Sequence, residues 1–401
     1  MNMYIHQQPD WPHFVWNTEH ILTLLTTVRN MQGRVVGRMG ALGFELRNQA
    51  NLEIITQDVL KSTEIEGELL NADQVRSSVA RRLGLDISGL VHSDRDVDGV
   101  VEMMVDATEN FNAPLDKERL CGWHNALFPS GYSGMYKVLV GRWRDDSSGP
   151  MQVVSGPVGK EKVHFEAPAA ELLTTEMERF LNWINERQPV DPVIKSAVAH
   201  LWFVTLHPFE DGNGRIARAI SDMLLARSDN QPYRFYSMSA QIRKERKRYY
   251  DVLERTQRGK IDITDWLEWF LRCLLHSIEA SETVLEKILR KHSFWQHNAA
   301  TIKNERQKKL LNRLLDGFNG KLTTSKWAKI AKCSQDTATR DIQDLIDKEI
   351  LYKLPGGGRS TGYDLLDQSC PPADQTAEIG QGNDQTGGIK KDSRSGIGFN
   401  T

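Results

Sequence analysis

Apolar residues recur at every third or fourth position along most of the first 300 residues, which is the spacing of one face of an α-helix. Leu52, Ile55 and Val59 show this spacing in the N-terminal part of the chain. The pattern predicts a mainly α-helical protein. The predicted parts are an N-terminal helical region at residues 1–95 and a larger helical domain at residues 96–290.

One segment of the larger domain breaks this pattern. Two short β-prone runs flank the turn-forming residues Gly156-Pro157-Val158-Gly159, and these runs are Met151-Gln152-Val153-Val154 and Lys162–Phe165. The arrangement predicts a β-hairpin. Taken alone, such a hairpin has a plain structural β-turn as its alternative interpretation.

The character of the chain changes again in residues 291–366. Two short helices are predicted at Thr324–Lys332 and Ser334–Glu349, and two short strands flank Gly356-Gly357-Gly358-Arg359. This order resembles a winged helix, in which Ser334–Glu349 would be the recognition helix that contacts DNA. A winged helix that binds another protein is the alternative. The last residues, 367–401, are poor in large apolar residues and are predicted to be disordered.

The composition narrows the possible partners and the compartment. The formal net charge is -2 and 39% of the residues are hydrophobic, so the whole chain has no general attraction for nucleic acid or an acidic membrane surface. The four cysteines show no CxxC or Cys/His zinc spacing. The first residues show no basic region followed by an apolar run, so we expect no secretory signal. The most apolar stretch is too short to span a bilayer. We therefore expect a cytoplasmic protein without a membrane partner.

Candidate chemistry is concentrated between two helical patterns, from His207 to Arg218. Pro208 ends the first helix, because proline lacks a backbone donor and restricts the residue before it. Gly212 and Gly214 permit backbone conformations that a Cβ forbids. Backbone N–H groups at the start of the second helix can therefore point at one spot, which predicts an anion site.

The side chains of this loop suit the same chemistry. Arg215 and Arg218 are about one helical turn apart, so both can face one anion. Asp211 offers a hard oxygen ligand for Mg²⁺, and His207 can act as a general base near neutral pH. Each of these residues alone is more often structural, but together they provide what transfer at phosphorus requires.

The stretch matches the pattern His-x-Phe-x-(Asp/Glu)-Gly-Asn-Gly-Arg-x-x-Arg at every specified position, and the chain therefore resembles the Fic family of nucleotidyl transferases. The resemblance covers about residues 1 to 290 and implies a Fic-fold helical core. It implies an enzyme that transfers AMP from ATP to a Ser, Thr or Tyr hydroxyl of a target protein or of itself, with release of pyrophosphate.

The resemblance also implies a role for each position of the loop. His207 would deprotonate the target hydroxyl, Asp211 would hold Mg²⁺, and Arg218 would contact the γ-phosphate. The α- and β-phosphates would be held by Gly212, Asn213, Gly214 and Arg215. In the kinase branch of the fold, a lysine stands at the position of Gly214. Glycine at this position therefore favours AMP transfer over phosphate transfer.

Two further elements acquire a possible role from the resemblance. The hairpin with Met151, Gln152, Val153 and Val154 is similar to the family's target-docking flap, where an extended target segment adds as a strand. Tyr249 and Tyr250, on a basic helix, are candidates to face the adenine, and burial in the core is the equally open alternative.

Far upstream, Ser62-Thr63-Glu64-Ile65-Glu66-Gly67 resembles the family's inhibitory pattern (Ser/Thr)-x-x-x-Glu-(Gly/Asn). The resemblance implies that Glu66 pairs with Arg218 and takes the place of the γ-phosphate. Ser62, one turn earlier, could brace Glu66. Because this pattern precedes the Fic motif, the N-terminal region is predicted to carry an inhibitory helix.

Three alternatives remain open from the sequence. The donor could be a different nucleotide, since the sequence specifies the adenine pocket poorly. The same enzyme could also remove AMP. The chain could instead be a nucleotide-sensing regulator that binds DNA, although an intact His207 argues against that. The sequence is compatible with a homodimer and identifies no target protein.

Overall fold

The computed structural model describes residues 3–85, 89–147, 149–156, 160, 162–315, 317–318, 320–355 and 361–366. Backbone contacts divide the chain into two compact units, residues 1–301 and 302–401. The boundary predicted after residue 290 falls inside a long helix. That helix continues to Asn298, so the first unit ends later than the sequence suggested.

The first unit is mainly helical, as predicted from the sequence. A 3₁₀ turn (Ile5–Gln7) precedes the helices, which are α1 (Thr18–Gly40), α2 (Phe44–Ile65), α3 (Ala72–Arg82), α4 (Arg95–Glu109), α5 (Lys117–Leu127), α6 (Ala170–Asn185), α7 (Pro192–Leu206), α8 (Asn213–Asp229), α9 (Met238–Lys244), α10 (Arg246–Gln257) and α11 (Thr264–Asn298). Two antiparallel hairpins lie between α5 and α6, formed by β1 (Tyr132–Ser133) with β2 (Tyr136–Lys137) and by β3 (Gln152–Ser155) with β4 (Lys162–Glu166).

The helices α7 and α8 pack against each other at the centre of this unit and carry the motif loop between them. Nearly every side chain of α7 is buried, so this helix is apolar on all sides. It begins with Asp191, whose side chain accepts the N–H of Val193, and with proline at its first position. It ends at His207, which adopts a left-handed backbone conformation with φ of 50°. The loop therefore starts from a fixed point of the core.

The helix α2 brings the predicted inhibitory segment against this centre. It packs on α9 and also contacts α3, α4 and α8. Its last turn is held from outside, because Arg246 Nε donates to the carbonyl of Ile65 at 2.8 Å and Arg243 Nε lies 3.0 Å from Glu64 Oε1. Glu66 follows as the C-terminal cap, and Gly67 then turns the chain with φ of 94°.

A buried carboxylate cluster docks the middle of α2. Asp58 Oδ1 accepts a hydrogen bond from Ser237 Oγ at 2.5 Å and one from Ser239 N–H at 3.2 Å. Nearby, Asp222 pairs with Arg234 at 2.7 Å, and both side chains are 1% exposed. Burial, followed by the negative charge of Asp222, raises the pKa of Asp58 to about 8. Burial therefore favours the protonated form of Asp58 in the folded protein.

Replacing Asp58 by asparagine is expected to stabilise the protein increasingly as the pH rises. The pKa of Asp58 rises from its ordinary value of 3.8 to about 8 on folding, so between these pH values the folded protein retains a proton that the unfolded chain has lost. Wild-type stability is therefore lost across this window, and Asp58→Asn removes this loss. Urea unfolding of both proteins at several pH values between 5 and 8 measures the effect. A stability difference that does not grow with pH would contradict it.

The second hairpin lies beside the motif loop, and its existence was predicted correctly. Of its turn, residues 157–159 lie outside the described residues. The register shifts between Val153 and Val154, so His164 is an extra residue of β4 and forms a β-bulge. Phe165, 1% exposed, packs edge-on against the rings of Tyr4 and His6. The N-terminal segment thus supports the base of the hairpin.

Among its described residues, the second unit has three helices followed by a hairpin, and the last two helices and the hairpin follow the order that the sequence predicted. They are α12 (Glu305–Leu315), α13 (Thr324–Ala331) and α14 (Gln335–Asp347), with β5 (Leu351–Lys353) antiparallel to β6 (Tyr363–Leu365). Its core includes Trp327, which is fully buried. The hairpin turn with Arg359 and the tail at 367–401 lie outside the described residues. A winged helix that binds DNA stays a prediction. Among the described residues, every helix is too short or too polar to cross a membrane.

Candidate active site

His207 presents one ring nitrogen for chemistry while the other is held by the backbone. Its Nδ1 lies 3.2 Å from the carbonyl oxygen of Val204, an acceptor that places the proton on Nδ1 and leaves the lone pair on Nε2. Burial lowers the pKa of His207, and the positive charge of Arg144 acts in the same direction. The imidazole is therefore neutral at pH 7 and able to accept a proton.

Arg144 fixes the backbone on both sides of this histidine and was missed by the sequence reasoning. Its side-chain Nε donates to the carbonyl of His207 at 2.8 Å, and its backbone N–H donates to the carbonyl of Pro208 at 2.8 Å. The guanidinium is 1% exposed and pairs with Asp146 at 2.6 Å. Arg144 therefore positions His207, and only its tertiary contacts identify it.

Asn213 and Phe209 hold the loop in shape from within. The amide of Asn213 bonds both ways to Phe209, since its Oδ1 accepts the Phe209 N–H at 3.0 Å and its Nδ2 donates to the Phe209 carbonyl at 2.7 Å. The ring of Phe209 is buried and stacks on His124 with centroids 4.1 Å apart. Burial lowers the pKa of His124 to about 4, so this histidine is a neutral packing partner. Both polar atoms of the Asn213 side chain are thus used in the loop. Only the backbone N–H of Asn213 faces the helix start.

The start of α8 is where the sequence predicted an anion site, and its backbone geometry suits that prediction. Gly212 caps the helix with φ of 79°, and a Cβ added there would meet the ring of Phe128 at 3.0 Å. Both the backbone angle and the space therefore require glycine at this position. The first hydrogen bond of the helix runs from Ile216 N–H to the Gly212 carbonyl. The N–H groups of residues 213–215 precede it and point out of the helix end, where the helix dipole is positive.

Asp211 is the candidate metal ligand, and it fits Mg²⁺ only if phosphate oxygens complete the coordination. Its carboxylate is 43% exposed and accepts a hydrogen bond from Ser133 Oγ at 2.5 Å. Within the described residues no group of three or more His, Cys, Asp or Glu side chains could hold a metal ion. Mg²⁺ commonly takes one or two carboxylates together with substrate phosphates. One carboxylate beside an anion site therefore suits a metal that arrives with a phosphate.

Arg218 is buried and held by the end of α2. Its Nη2 lies 2.6 Å from Glu66 Oε1, and the side chain of Arg218 is 2% exposed. Its Nε donates to Ser62 Oγ at 2.9 Å and Nη2 also donates to the Ser62 carbonyl at 2.8 Å. The contact between Glu66 and Arg218 that the sequence suggested is present. Ser62, expected to brace the glutamate, contacts the arginine instead, because Arg218 reaches one turn back along α2.

A second glutamate of the same segment contacts the other motif arginine. Glu68 Oε2 lies 3.1 Å from Arg215 Nη1, and the side chain of Arg215 is 3% exposed. Glu66 also lies against the start of α8, because a Cβ built on Gly214 would overlap Glu66 Oε1. The residues after α2 therefore place two carboxylates on the two arginines and the helix start. The role of Glu68 was not predicted from the sequence. Its only signal there is that an acidic residue follows Gly67, in addition to the one before it.

Glu68→Gln is expected to raise nucleotide-dependent activity about 2- to 5-fold, because a half-exposed ion pair contributes up to about 1 kcal/mol. The substitution frees Arg215 for phosphate and keeps the shape of the side chain. Initial rates of pyrophosphate release from ATP measure it. Glu53→Gln changes the same charge at an exposed position of α2 and serves as the control. Equal rates in the two variants would show that Glu68 does not compete with phosphate.

One open cavity of about 550 Å³ joins these elements. Its lining includes His207, Asp211 and Gly212 to Gly214 from the loop, Glu66 from the inhibitory segment, and Met151 to Val154 from the hairpin. This volume is in the range of small-molecule sites. The cavity thus brings together the predicted base, anion site and flap.

Tyr249 and Tyr250 both line this cavity but in different ways. Tyr249 is 2% exposed, and its hydroxyl lies 3.0 Å from His200 Nε2 in the core. Tyr250 is 36% exposed and lies under the guanidinium of Arg246, 5.3 Å from its ring centre. Tyr249 is therefore chiefly a core residue, and Tyr250 is the tyrosine with a face open to a ligand.

The fold places His207 directly before the glycine-rich start of α8. Comparison with known proteins identifies this part of the chain. Residues 114–225 match the model of the Fic/DOC family, and residues 4–85 match a domain of unknown function named DUF4172. The chain therefore contains a Fic/DOC domain at residues 114–225.

Individual relatives are similar over part of the chain. The Caenorhabditis briggsae protein adenylyltransferase fic-1 is 28% identical over 43% of this chain, and the Nematostella vectensis protein adenylyltransferase Fic is 32% identical over 28% of it. The matched segments cover 32% and 25% of those relatives' own lengths. The crystal structure of a Fic family protein from Desulfovibrio desulfuricans, 21% identical, covers 89% of this chain and 99% of its own with a TM-score of 0.50. This last likeness concerns the fold.

Proposed function

We propose that the protein transfers AMP from ATP to a hydroxyl group of a protein, and that Glu66 restrains this activity. The observation that carries the proposal is the single cavity in which His207, Asp211 and the start of α8 converge. The names of the relatives, protein adenylyltransferases, support the same reaction class.

Each group in the cavity has a part in this reaction. Nε2 of His207 accepts the proton of the incoming hydroxyl, which attacks the α-phosphorus while pyrophosphate leaves. The N–H groups at the start of α8 and the guanidinium of Arg215 bind the α- and β-phosphates, and Arg218 binds the γ-phosphate. Mg²⁺, held by Asp211 and phosphate oxygens, would supply neutralisation of the phosphate charge.

The acceptor is proposed to lie along β3. This strand pairs with β4 on one side, and within the described residues no further strand pairs with its other edge. An extended target segment can add to such an edge by backbone hydrogen bonds, which aligns its side chains with the cavity. Recognition through backbone groups explains why the flap sequence does not identify the target.

The segment that follows α2 is proposed to be inhibitory. Glu66 and Glu68 engage the two arginines that the phosphates need, and Glu66 lies against Gly214. ATP must therefore displace two carboxylates before its phosphates can take their places. The ground state is an enzyme that is mostly inactive.

Transfer of labelled phosphorus from ATP tests the reaction. The Glu66→Gly protein is incubated with a lysate of the source cell and with ATP labelled at either the α- or the γ-phosphorus. Relative to the lysate alone, we expect additional α-label on proteins, no additional γ-label, and an added mass of one AMP. The γ-label would indicate a kinase, and no label from either ATP would reject the proposed function. UTP in place of ATP, read by added mass, tests the choice of donor.

A further inference from the structure

A second hydrogen-bonded chain of reactive side chains lies on the flap hairpin, outside the motif loop. Ser155 Oγ is 2.6 Å from His164 Nε2, and His164 Nδ1 is 2.6 Å from Glu254 Oε2. A hydroxyl, an imidazole and a carboxylate in this order form the usual arrangement of a nucleophile, its base and the group that orients the base. Neither the Fic motif nor the inhibitory segment includes these three residues.

Several contacts hold this arrangement in place. His164 is the extra residue of the β-bulge, and bulges re-aim a side chain relative to a regular strand. Arg258 of the segment after α10 donates its Nε to the carbonyl of His164 at 2.7 Å and its Nη2 to the carbonyl of Val163 at 2.6 Å. Glu254 lies on α10, which contacts β4. The imidazole is therefore fixed from the backbone side and from its Nδ1 side.

The chain of three residues faces the cavity that we assign to ATP. Ser155, His164 and Glu254 all line the same cavity as His207. With the Nδ1 proton donated to Glu254, the lone pair of Nε2 faces the Ser155 hydroxyl. The Ser155 residue is exposed, so its oxygen is open to a group in the cavity. A nucleophile with its own base thus lies beside the nucleotide site.

We propose that Ser155 is an AMP acceptor within this protein, and that His164 with Glu254, rather than His207, activates it. The inference rests on the proposed function, because it needs ATP in the cavity. Ser155 Oγ forms a bond to the α-phosphorus while the bond from the α-phosphorus to the bridging oxygen of pyrophosphate breaks. The Ser155 proton passes to His164 Nε2, and Glu254 stabilises the imidazolium at Nδ1.

Peptide mapping of the full-length protein tests the inference. The Glu66→Gly protein is incubated with α-labelled ATP and digested with trypsin, which releases residues 145–160 as one peptide. Fragmentation is expected to place AMP on Ser155. The label should persist when His207→Ala is added, and should fall about 100-fold with His164→Gln or Glu254→Gln, as for loss of a general base or its partner.

Matched variants separate the possible outcomes. Ser155→Ala should remove the label from this peptide, Ser155→Thr should keep it, and Ser147→Ala in the same peptide should leave it unchanged. The inference is overturned if lysate proteins are labelled while residues 145–160 carry none. It is also overturned if the label on Ser155 depends on His207 and not on His164. Absence of label on every protein would instead reject the proposed function.

Discussion

Replacement of His207 by alanine is expected to lower AMP transfer to other proteins by about 10²- to 10⁴-fold, the usual effect of losing a general base. Nε2 of the imidazole is left free to accept a proton, because the carbonyl of Val204 accepts a hydrogen bond from Nδ1. The variant should bind ATP as before, since the proposed phosphate contacts are the start of α8 and the two arginines, not His207. Label transfer to a lysate by Glu66→Gly and by the double variant measures the difference.

The pH dependence of this transfer checks the same assignment independently. Below its pKa, His207 carries a proton on Nε2 and cannot accept another, so the rate should fall as the pH falls. Burial lowers the pKa of His207 below the ordinary 6.5, which places the midpoint of this fall below that value. Unchanged transfer by His207→Ala, or a midpoint well above 6.5, would show that another group is the base.

The sequence was sufficient to predict the motif loop because its chemistry is local. The apolar spacing fixes α7 and α8, and Pro208 ends the first of them. Gly212 provides the positive φ at the start of the second. Once these are in place, His207 and Arg218 can only lie on either side of one helix start. Helices, hairpin and loop were therefore predictable from short-range patterns.

The supports of the site were not predictable because they depend on packing between distant segments. Arg144 contacts His207 across 63 positions of the chain, and Asp58 contacts Ser237 across 179. A buried arginine and a buried aspartate look like ordinary surface residues in a sequence. The hydrogen bond from Arg218 to Ser62 was not foreseen for the same reason, since the reach of Arg218 is not visible in the spacing of α2.

Replacement of Glu66 by glycine is expected to raise AMP transfer about 10- to 100-fold. Hydrogen bonds to charged groups contribute about 1.5 to 3 kcal/mol, and ATP must overcome this contact to reach Arg218. The variant frees Arg218 and the space against Gly214 together. Initial rates of α-label transfer, together with calorimetric ATP binding, measure it. Equal rates and affinities in wild type and variant would contradict autoinhibition by Glu66.

The same substitution distinguishes two ways in which Glu66 could move away from Arg218. The middle of α2 is docked through buried Asp58, whereas the side chain of Glu66 is 29% exposed beyond the last turn. Release therefore needs only the end of the helix to move, with Gly67 as the pivot. Glu66→Gly should then leave the midpoint of thermal unfolding within a few degrees of wild type. A large drop would mean that Glu66 holds the whole helix, and that activation requires α2 to leave the core.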